Sequence, residues 1–375
     1  MDQIMLHTFE SDVDRIAERL IEAFSLKFEG TDANLNDSLI RWLDYRLRYI
    51  DPKPREIVRS IGFDSRVPAE ANQALSNFIR LAETGGDLNP YLTKTVKSSD
   101  SSGAKRQLRT DGLWADWNIH HAHLTETPLA AGAEFSDRSD WLLFFIALPT
   151  QIGLIDVRSH NEPGIFQAVN LVERAIGSWS DHFEMYRLKG IAGLARPPAS
   201  DANSIKSLRA GGVAGLLEIA GKVYMPPGFG VTTAATSTRV SLERNKVKQL
   251  ARAVGDFLSF HGELVRSSLA ERKPHPTLSL RVSDHGRLVA YSETEKRTES
   301  ISANGRSTTR AELEERLLPQ WAADRLVSHL AAAGDLPPTN RASRSLVKFV
   351  FGEEDEHEEA LYGTANHRVS EGSRG

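Results

Sequence analysis

The 375-residue chain contains no cysteine. Disulfide bonds, thiolate zinc sites, iron–sulfur clusters and cysteine nucleophiles are therefore excluded, and such a composition suits a reducing compartment. Long apolar runs are lacking too, since no stretch approaches the roughly 20 apolar residues that span a bilayer. The segment Met1–Glu10 also lacks the apolar core of a secretory signal. We therefore expect a cytoplasmic protein with no membrane partner.

An excess of positive charge is also absent. The chain has 46 Lys and Arg residues against 50 Asp and Glu residues, for a formal net charge of −4. Any nucleic-acid partner would therefore have to bind at a local basic patch rather than through a global field. Hydrophobic residues make up 40% of the chain and charged residues 26%, a balance typical of globular proteins with a substantial core.

The first part of the chain has apolar residues at helical spacing. One stripe runs from Val13 to Phe24, a second from Leu35 to Ile50, and a third from Pro68 to the glycines at 85 and 86. These patterns predict helices throughout residues 11–84, within a helical N-terminal module at residues 1–96.

A polar segment follows this module. Residues 97–106 have the small polar composition of a linker, which cannot bury apolar area. Its basic residues, together with Arg109, could contact phosphates, although a solvated linker has the same composition. Those residues are Lys97, Lys105, Arg106 and Arg109.

The central part of the chain changes to strand-like patterns. Ile119–Leu124, Trp141–Ala147 and Ile152–Val157 are expected to be strands, and helical spacing returns at Gly164–Trp179. The second strand is nearly all apolar, so we expect it to be covered on both faces. The short turn at 149–151 predicts an antiparallel pair. Residues 105–190 thus predict a small, mainly antiparallel sheet with a following helix.

The last part of the chain alternates hairpin and helix patterns. Turn residues at 220–221 and 283–286 separate strand-like runs, a long apolar stripe covers 240–262, and a capping pattern at Thr309 opens a helix that reaches Gly334. We expect a C-terminal α+β domain at 205–350 and an acidic, frayed tail at 353–375. The fold class predicted for the whole chain is α+β, in three parts.

A cluster of histidines is the strongest candidate for chemistry. Asp116–Leu124 holds His120, His121 and His123, with Trp117 just before them. Imidazole is the side chain whose ordinary pKa lies nearest neutral pH, so it supplies acids, bases or metal ligands. In a strand, His121 and His123 share one face and stand about 7 Å apart, while His120 points to the other face.

The first hypothesis for this cluster is metal-independent RNA cleavage, which needs no cofactor. The ribose 2′-hydroxyl attacks the adjacent phosphodiester, and the reaction requires a base, an acid and a cation. His121 or His123 could share the acid and base roles with His160, while Arg138 or Arg158 could supply the cation. The hypothesis requires these side chains to meet in an open cleft.

Two alternatives remain open from the residues. The His-x-His pair at 121 and 123, with a later histidine and a carboxylate such as Asp156 or Glu162, could bind a divalent metal in a hydrolase. Alternatively, His120 and a neighbour are hydrogen-bonded core histidines, and the chain is a non-enzymatic interaction or scaffold module.

The histidine block also resembles a pattern found in a group of poorly characterised bacterial proteins. The resemblance covers Asp116–Leu124, Arg138–Phe144 and Ile155–His160, with a looser echo at Gly86–Leu92. It implies that these segments act as a unit and implies no particular reaction. The order of helices followed by a small antiparallel sheet with scattered His and Arg is similar, at the level of fold, to small ribonuclease toxins of the RelE and barnase type. That similarity implies an endoribonuclease of toxin or phage-defence type, with the C-terminal region binding a protein partner or regulator.

Overall fold

The structure is a computed structural model that describes most of the chain. The described residues are 9–29, 37–100, 102, 110–191, 202–213, 215–232, 236–271, 273, 276–301 and 308–338. The predicted tail at 353–375 and three of the four linker cations, Lys105, Arg106 and Arg109, lie outside these residues. Within the described ranges, no helix has both the length and the hydropathy that a bilayer crossing demands.

Helices make up most of the regular structure. They are α1 (Phe9–Ala23), α2 (Ser38–Arg48), α3 (Asn72–Thr84), α4 (Thr95–Ser98), α5 (Gly112–Trp117), α6 (Val169–Ser178), α7 (Ser180–Phe183), α8 (Ala202–Gly211), α9 (Thr238–His261), α10 (Glu263–Ala270), α11 (Thr308–Leu317) and α12 (Gln320–Ala333).

The strands of the described residues form three small sheets. They are β1 (Glu56–Arg59), β2 (Ile119–His123), β3 (Trp141–Ala147), β4 (Gln151–Ser159), β5 (Leu217–Ile219), β6 (Lys222–Tyr224), β7 (Leu278–Val282), β8 (Leu288–Ser292) and β9 (Arg297–Ser300). Together with the helices, these sheets confirm the predicted α+β class. The two predicted hairpins are also confirmed, as the antiparallel pairs β5–β6 and β7–β8.

The central sheet has the strand order β1-β4-β3-β2. The consecutive strands β2, β3 and β4 are antiparallel, and the β3–β4 pair is the one that the turn at 149–151 predicts. Strand β1 joins the edge in parallel with β4, pairing Glu56 with Gln151. The prediction of helix throughout 11–84 was therefore wrong at β1. This strand has only four residues, too few for a periodic signal, and its partner lies far along the chain.

Both faces of the central sheet are buried. On β3, Leu143 and Phe145 pack into the core that includes α3, while Leu142 and Phe144 pack into the core that includes α6. All four side chains have no exposed surface. The nearly continuous apolar pattern of this strand arises because alternating side chains enter two different cores. The expectation of a strand covered on both faces is confirmed.

A further core joins the first described helices to the last ones. Helices α1 and α2 pack with α9, α11, α12 and the sheet of β7, β8 and β9. Fully buried Trp42 of α2 donates its indole N–H to the carbonyl oxygen of Leu317, at 2.8 Å. The segments predicted as modules 1–96 and 205–350 therefore share one core, while β1 and α3 of the first segment pack on the central sheet.

The last predicted helix is divided in two. A single helix from Thr309 to Gly334 was expected, but α11 ends at Leu317 and α12 begins at Gln320. Pro319 lies between them, and proline lacks the amide donor and disfavours helical backbone at the residue before it. Gly334 ends α12 in the left-handed conformation, with a φ of 74°.

Candidate functional site

A cavity of about 480 Å³ lies beside the central sheet. Its walls come from the end of α2, the segment around α4, the start of α5, strand β2 and the chain just after β4. Four of the five predicted site residues line it: His121, His123, Arg138 and His160. Segments distant in sequence thus bring three imidazoles and a guanidinium together in an open concave site.

Strand β2 sets the direction of its histidines. His121 and His123 pair in register with Phe144 and Leu142, whose side chains face the α6 side of the sheet. His120 faces the opposite side, as predicted, and stacks on Phe145 with ring centroids 5.5 Å apart. Burial lowers the pKa of His120 to about 3. His120 is therefore a neutral packing residue outside the cavity.

His123 and His160 form a stacked pair. Their ring centroids are 5.5 Å apart and the ring planes are inclined by 26°. The backbone N–H of His160 donates to the carbonyl oxygen of Asp140, at 2.7 Å, which fixes this residue after the end of β4. Burial is the largest cause that lowers the pKa of His123 to about 4, and the positive charges of its neighbours also lower it. A backbone contact with Ser139 raises this pKa by less than burial lowers it. His123 is thus a neutral imidazole at pH 7.

His121 has a different environment because a carboxylate lies beside it. The side chain is 9% exposed, and its Nδ1 lies 3.1 Å from Oδ2 of Asp111. The two atoms are close enough for an ion pair but are not aligned as a hydrogen bond. The ring of Phe166 packs against the other side of the imidazole, with centroids 5.0 Å apart. A carboxylate on one side and an aromatic ring on the other thus hold this imidazole in the cavity wall.

Asp111 is held in place by helix α5. Its Oδ1 accepts hydrogen bonds from the backbone N–H groups of Leu113 and Trp114, which makes Asp111 the N-terminal cap. Burial alone would raise the pKa of this carboxyl, but the neighbouring His121 and the helix amides hold the pKa of Asp111 well below its usual range. The cavity therefore contains a permanently charged carboxylate next to His121.

Three fixed cations line the same cavity. Arg138 is exposed, and in the part of the chain that the structure describes it has no ion-pair partner. Lys94 is also exposed, whereas Arg48 is buried and donates to Asp44 at 2.6 Å. Asp111 is the single carboxylate among the described lining residues. Positive charge exceeds negative charge, which favours an anionic ligand.

Arg158, the fifth predicted residue, lies outside the cavity lining. Its guanidinium contacts Asp156 and donates to Glu162 at 2.9 Å. Asp156 is fully buried and also accepts from Arg66, at 3.0 Å, and contacts Arg174. This charge cluster ties β4 to α6 and to the turn that holds Arg66. Of the two arginines predicted to supply the cation, the geometry places Arg138 with the histidines.

The two carboxylates named for a metal site are engaged elsewhere. Asp156 is bound by three guanidiniums and Glu162 by Arg158. Among the residues that the structure describes, no three His, Asp or Glu side chains are grouped as a metal would require.

Several lining residues escaped the sequence-based prediction. Asp111 and helix α5 left a signal, because an Asp before the apolar residues Leu113, Trp114 and Trp117 is a capping pattern. Arg48 and Lys94 left no such signal in the sequence, since nothing in their local sequence distinguishes them from the other basic residues. Lys97, named as a possible phosphate ligand, is instead 7% exposed and contacts Glu134.

Comparisons with known proteins gave no match: no family model fits the chain, and neither a curated protein nor a solved structure is similar to it. Any functional assignment therefore rests on the geometry of the cavity and on the sequence pattern.

Proposed function

We propose that this chain is a metal-independent endoribonuclease that cleaves RNA through attack of the ribose 2′-hydroxyl. The observation that carries the proposal is the meeting of His121, His123, His160 and Arg138 in one cavity with an excess of positive charge. A phosphodiester is a singly charged anion that such a cavity attracts. The reaction needs a base, an acid and a cation, and the cavity offers a candidate for each.

His123 is the better candidate for the general base. A base must be unprotonated, and His123 has a pKa of about 4 before substrate binds. An anionic phosphodiester near the ring would favour the protonated form and so strengthen the base when it is needed. His123 would take the proton from the 2′-hydroxyl as that oxygen bonds to phosphorus.

His121 is the better candidate for the general acid. The carboxylate of Asp111 lies 3.1 Å from its Nδ1, where it can orient the ring and interact favourably with the positive charge that a proton donor carries. His121 would give its proton to the 5′-oxygen as the bond from phosphorus to that oxygen breaks. The products are a 2′,3′-cyclic phosphate and a free 5′-hydroxyl, so atoms and charges balance.

Arg138 and His160 support the same step. Arg138 has no ion-pair partner among the described residues, so its guanidinium is available for the phosphorane oxygens, whose negative charge grows in the transition state. His160 stacks on His123 and, with Arg138, disfavours a positive charge on that ring. Burial is the main cause of the lowered pKa of His123, and this pair adds to the effect.

The wider setting that we propose is a bacterial toxin or phage-defence enzyme of the cytoplasm. The bacterial setting rests on the resemblance in the histidine block, and the toxin or defence role rests only on the analogy drawn from the order of helices and sheet in the sequence, since no solved structure matches the chain. The α+β region after residue 205 would then be available to a protein partner or regulator.

The test is an RNA-degradation assay with EDTA present. His121→Ala and His123→Ala should each lower the rate by about 100-fold or more, the usual size of an acid or base contribution. His285→Ala is the matched control, because His285 is 72% exposed and lies outside the cavity. Activity lost on chelation would support the metal-dependent alternative. Folded protein with no turnover on RNA would support an interaction module.

A further inference from the structure

The candidate acid is buried and the candidate base is half-buried, and both line a cavity. His121 is 9% exposed, and the cavity of about 480 Å³ has the size of a small-molecule site. In an A-form duplex, the phosphates and 2′-hydroxyls lie on the outside of a stiff helix. A paired strand could not bring both atoms of one linkage to these imidazoles unless a nucleotide left the helix.

An aromatic wall stands next to the candidate acid. Phe166 is partly exposed to the cavity and, with Leu92, is one of two large apolar side chains among its described lining residues. Arg209 donates to the carbonyl oxygen of Phe166 at 3.0 Å and so fixes this turn. Nucleic-acid bases stack on such rings in single-strand binding proteins.

A row of hydroxyl groups forms another part of the wall. It comes from the short segment that carries Lys94 and α4, and its members are Thr93, Thr95, Ser98 and Ser99. Hydroxyls both donate and accept, so they suit base edges and the ribose 2′-hydroxyl. Lys94 in the same segment is placed for a neighbouring phosphate.

We infer that the substrate is single-stranded RNA, and that the cavity takes one unpaired nucleotide whose base stacks on Phe166 while its phosphate faces the imidazoles. The inference rests on the proposed ribonuclease function. Duplex RNA is excluded because its linkages do not reach the recessed histidines. The identity of the base should contribute little to the binding affinity, since every base can stack on an aromatic ring.

The first part of the test compares strands with and without pairing. The binding probe is a 2′-fluoro oligonucleotide of about eight nucleotides, which cannot be cleaved through the 2′-position. Fluorescence anisotropy would measure binding of this probe as a single strand and after annealing to its complement. An RNA of the same sequence would be assayed for cleavage as a single strand and as a duplex. We expect binding and cleavage of the single strand, with loss of both in the duplex.

The second part tests the stacking wall. Phe166→Ala should weaken binding of the single-stranded probe by about 5- to 150-fold, the range for loss of one stacked base. A set of probes that carry one abasic residue at successive positions would identify the position of the stacked base. The probe that is abasic at this position should bind the variant and the parent protein with equal affinity. Phe166→Tyr should retain binding. Phe260→Ala, which removes a ring that is 77% exposed and outside the cavity, should change nothing.

The outcomes separate this inference from the function on which it rests. Equal cleavage of single strand and duplex overturns the inference and leaves the ribonuclease proposal standing. Selective binding of the single strand without RNA cleavage overturns the ribonuclease proposal and supports the binding site. A Phe166→Ala variant that loses affinity equally for the complete and abasic probes overturns the stacking role, because the ring would then act only by supporting His121.

Discussion

Single residues determine how the two histidines of β2 differ. His121 and His123 are two positions apart on one strand, yet one lies beside the carboxylate of Asp111 and the other beside His160 and Arg138. The sequence could predict that both face one side, because strand geometry fixes the alternation. It could not predict which groups surround each ring, because those groups come from other segments of the chain.

Asp111→Asn tests the role of the carboxylate. Asparagine caps a helix as well as aspartate does, so α5 should stay folded while the negative charge is lost. His121 then loses the carboxylate that orients its ring, and we expect the rate of RNA cleavage to fall by about 100-fold. Full activity would show that Asp111 serves only as a cap.

Arg138→Gln and His160→Gln test the state of the base. The free enzyme needs an unprotonated His123, so kcat/KM should fall only as the pH drops towards about 4. Each substitution removes a group that disfavours a positive charge on His123. Its pKa should therefore rise, and the acidic limb should move to higher pH.

The control for that shift is Lys296→Gln, which removes a charge that is 70% exposed and outside the cavity. This variant should keep the parent profile. An acidic limb that stays fixed in the Arg138 and His160 variants would exclude His123 as the base.

At the scale of secondary-structure elements, helix α5 positions the site. Its N-terminal cap is Asp111 and its C-terminal cap is Asn118, which has a left-handed φ of 56° and leads directly into β2. Arg239 of α9 donates to the side-chain oxygen of Asn118 at 2.9 Å, and the turn at 226–230 packs on the helix. The strands of the central sheet were predictable from their apolar runs. Helix α5 was not found, since it is short and its support is distant in sequence.

Gly228→Ala tests that support. The backbone N–H of Gly228 donates to the carbonyl oxygen of Asp116 at 2.8 Å, and an added Cβ would overlap the carbonyl oxygen of Ala115. Because the obstacle is backbone, the turn must move away from α5. We expect a loss of about 1–3 kcal/mol in the free energy of unfolding, as for other overpacked sites, together with weaker RNA cleavage.

Gly177→Ala is the matched control for the same change. Nothing lies within 4 Å of a Cβ at this position in α6. The free energy of unfolding should stay equal or rise by up to about 1 kcal/mol, since alanine is the better helix former. Chemical denaturation of both variants checks the pair. Equal stability of the Gly228 variant and its parent would mean that the turn does not hold α5.

For the whole molecule, the notable feature is a core built from both ends of the chain. Asp12 of α1 accepts from the backbone N–H of Leu280 in β7 at 2.7 Å, and Trp42 of α2 reaches Leu317 of α11. Amphipathic stripes predicted the helices and which side of each is buried. They could not predict this pairing, because a stripe shows that a face needs a partner without specifying which one.

Trp42→Ala tests whether the two ends fold together. The residue is fully buried, and its loss should lower the free energy of unfolding by about 3–5 kcal/mol. Because α2, α9 and α11 share that core, hydrogen-exchange protection should fall together for amides of α1, β7 and α11. Loss confined to α1 and α2 would show that the N-terminal helices fold independently.

The most direct test of the central claim uses a DNA oligonucleotide that contains one ribonucleotide, incubated with the chain in EDTA. Only that position carries a 2′-hydroxyl. We predict one cut, directly 3′ of the ribonucleotide, with mass spectrometry showing a 2′,3′-cyclic phosphate on one product and a 5′-hydroxyl on the other. Three results would contradict cleavage through the 2′-hydroxyl. The oligonucleotide could stay intact under conditions that degrade an all-RNA substrate, the cut could lie elsewhere, or the product could carry a 5′-phosphate.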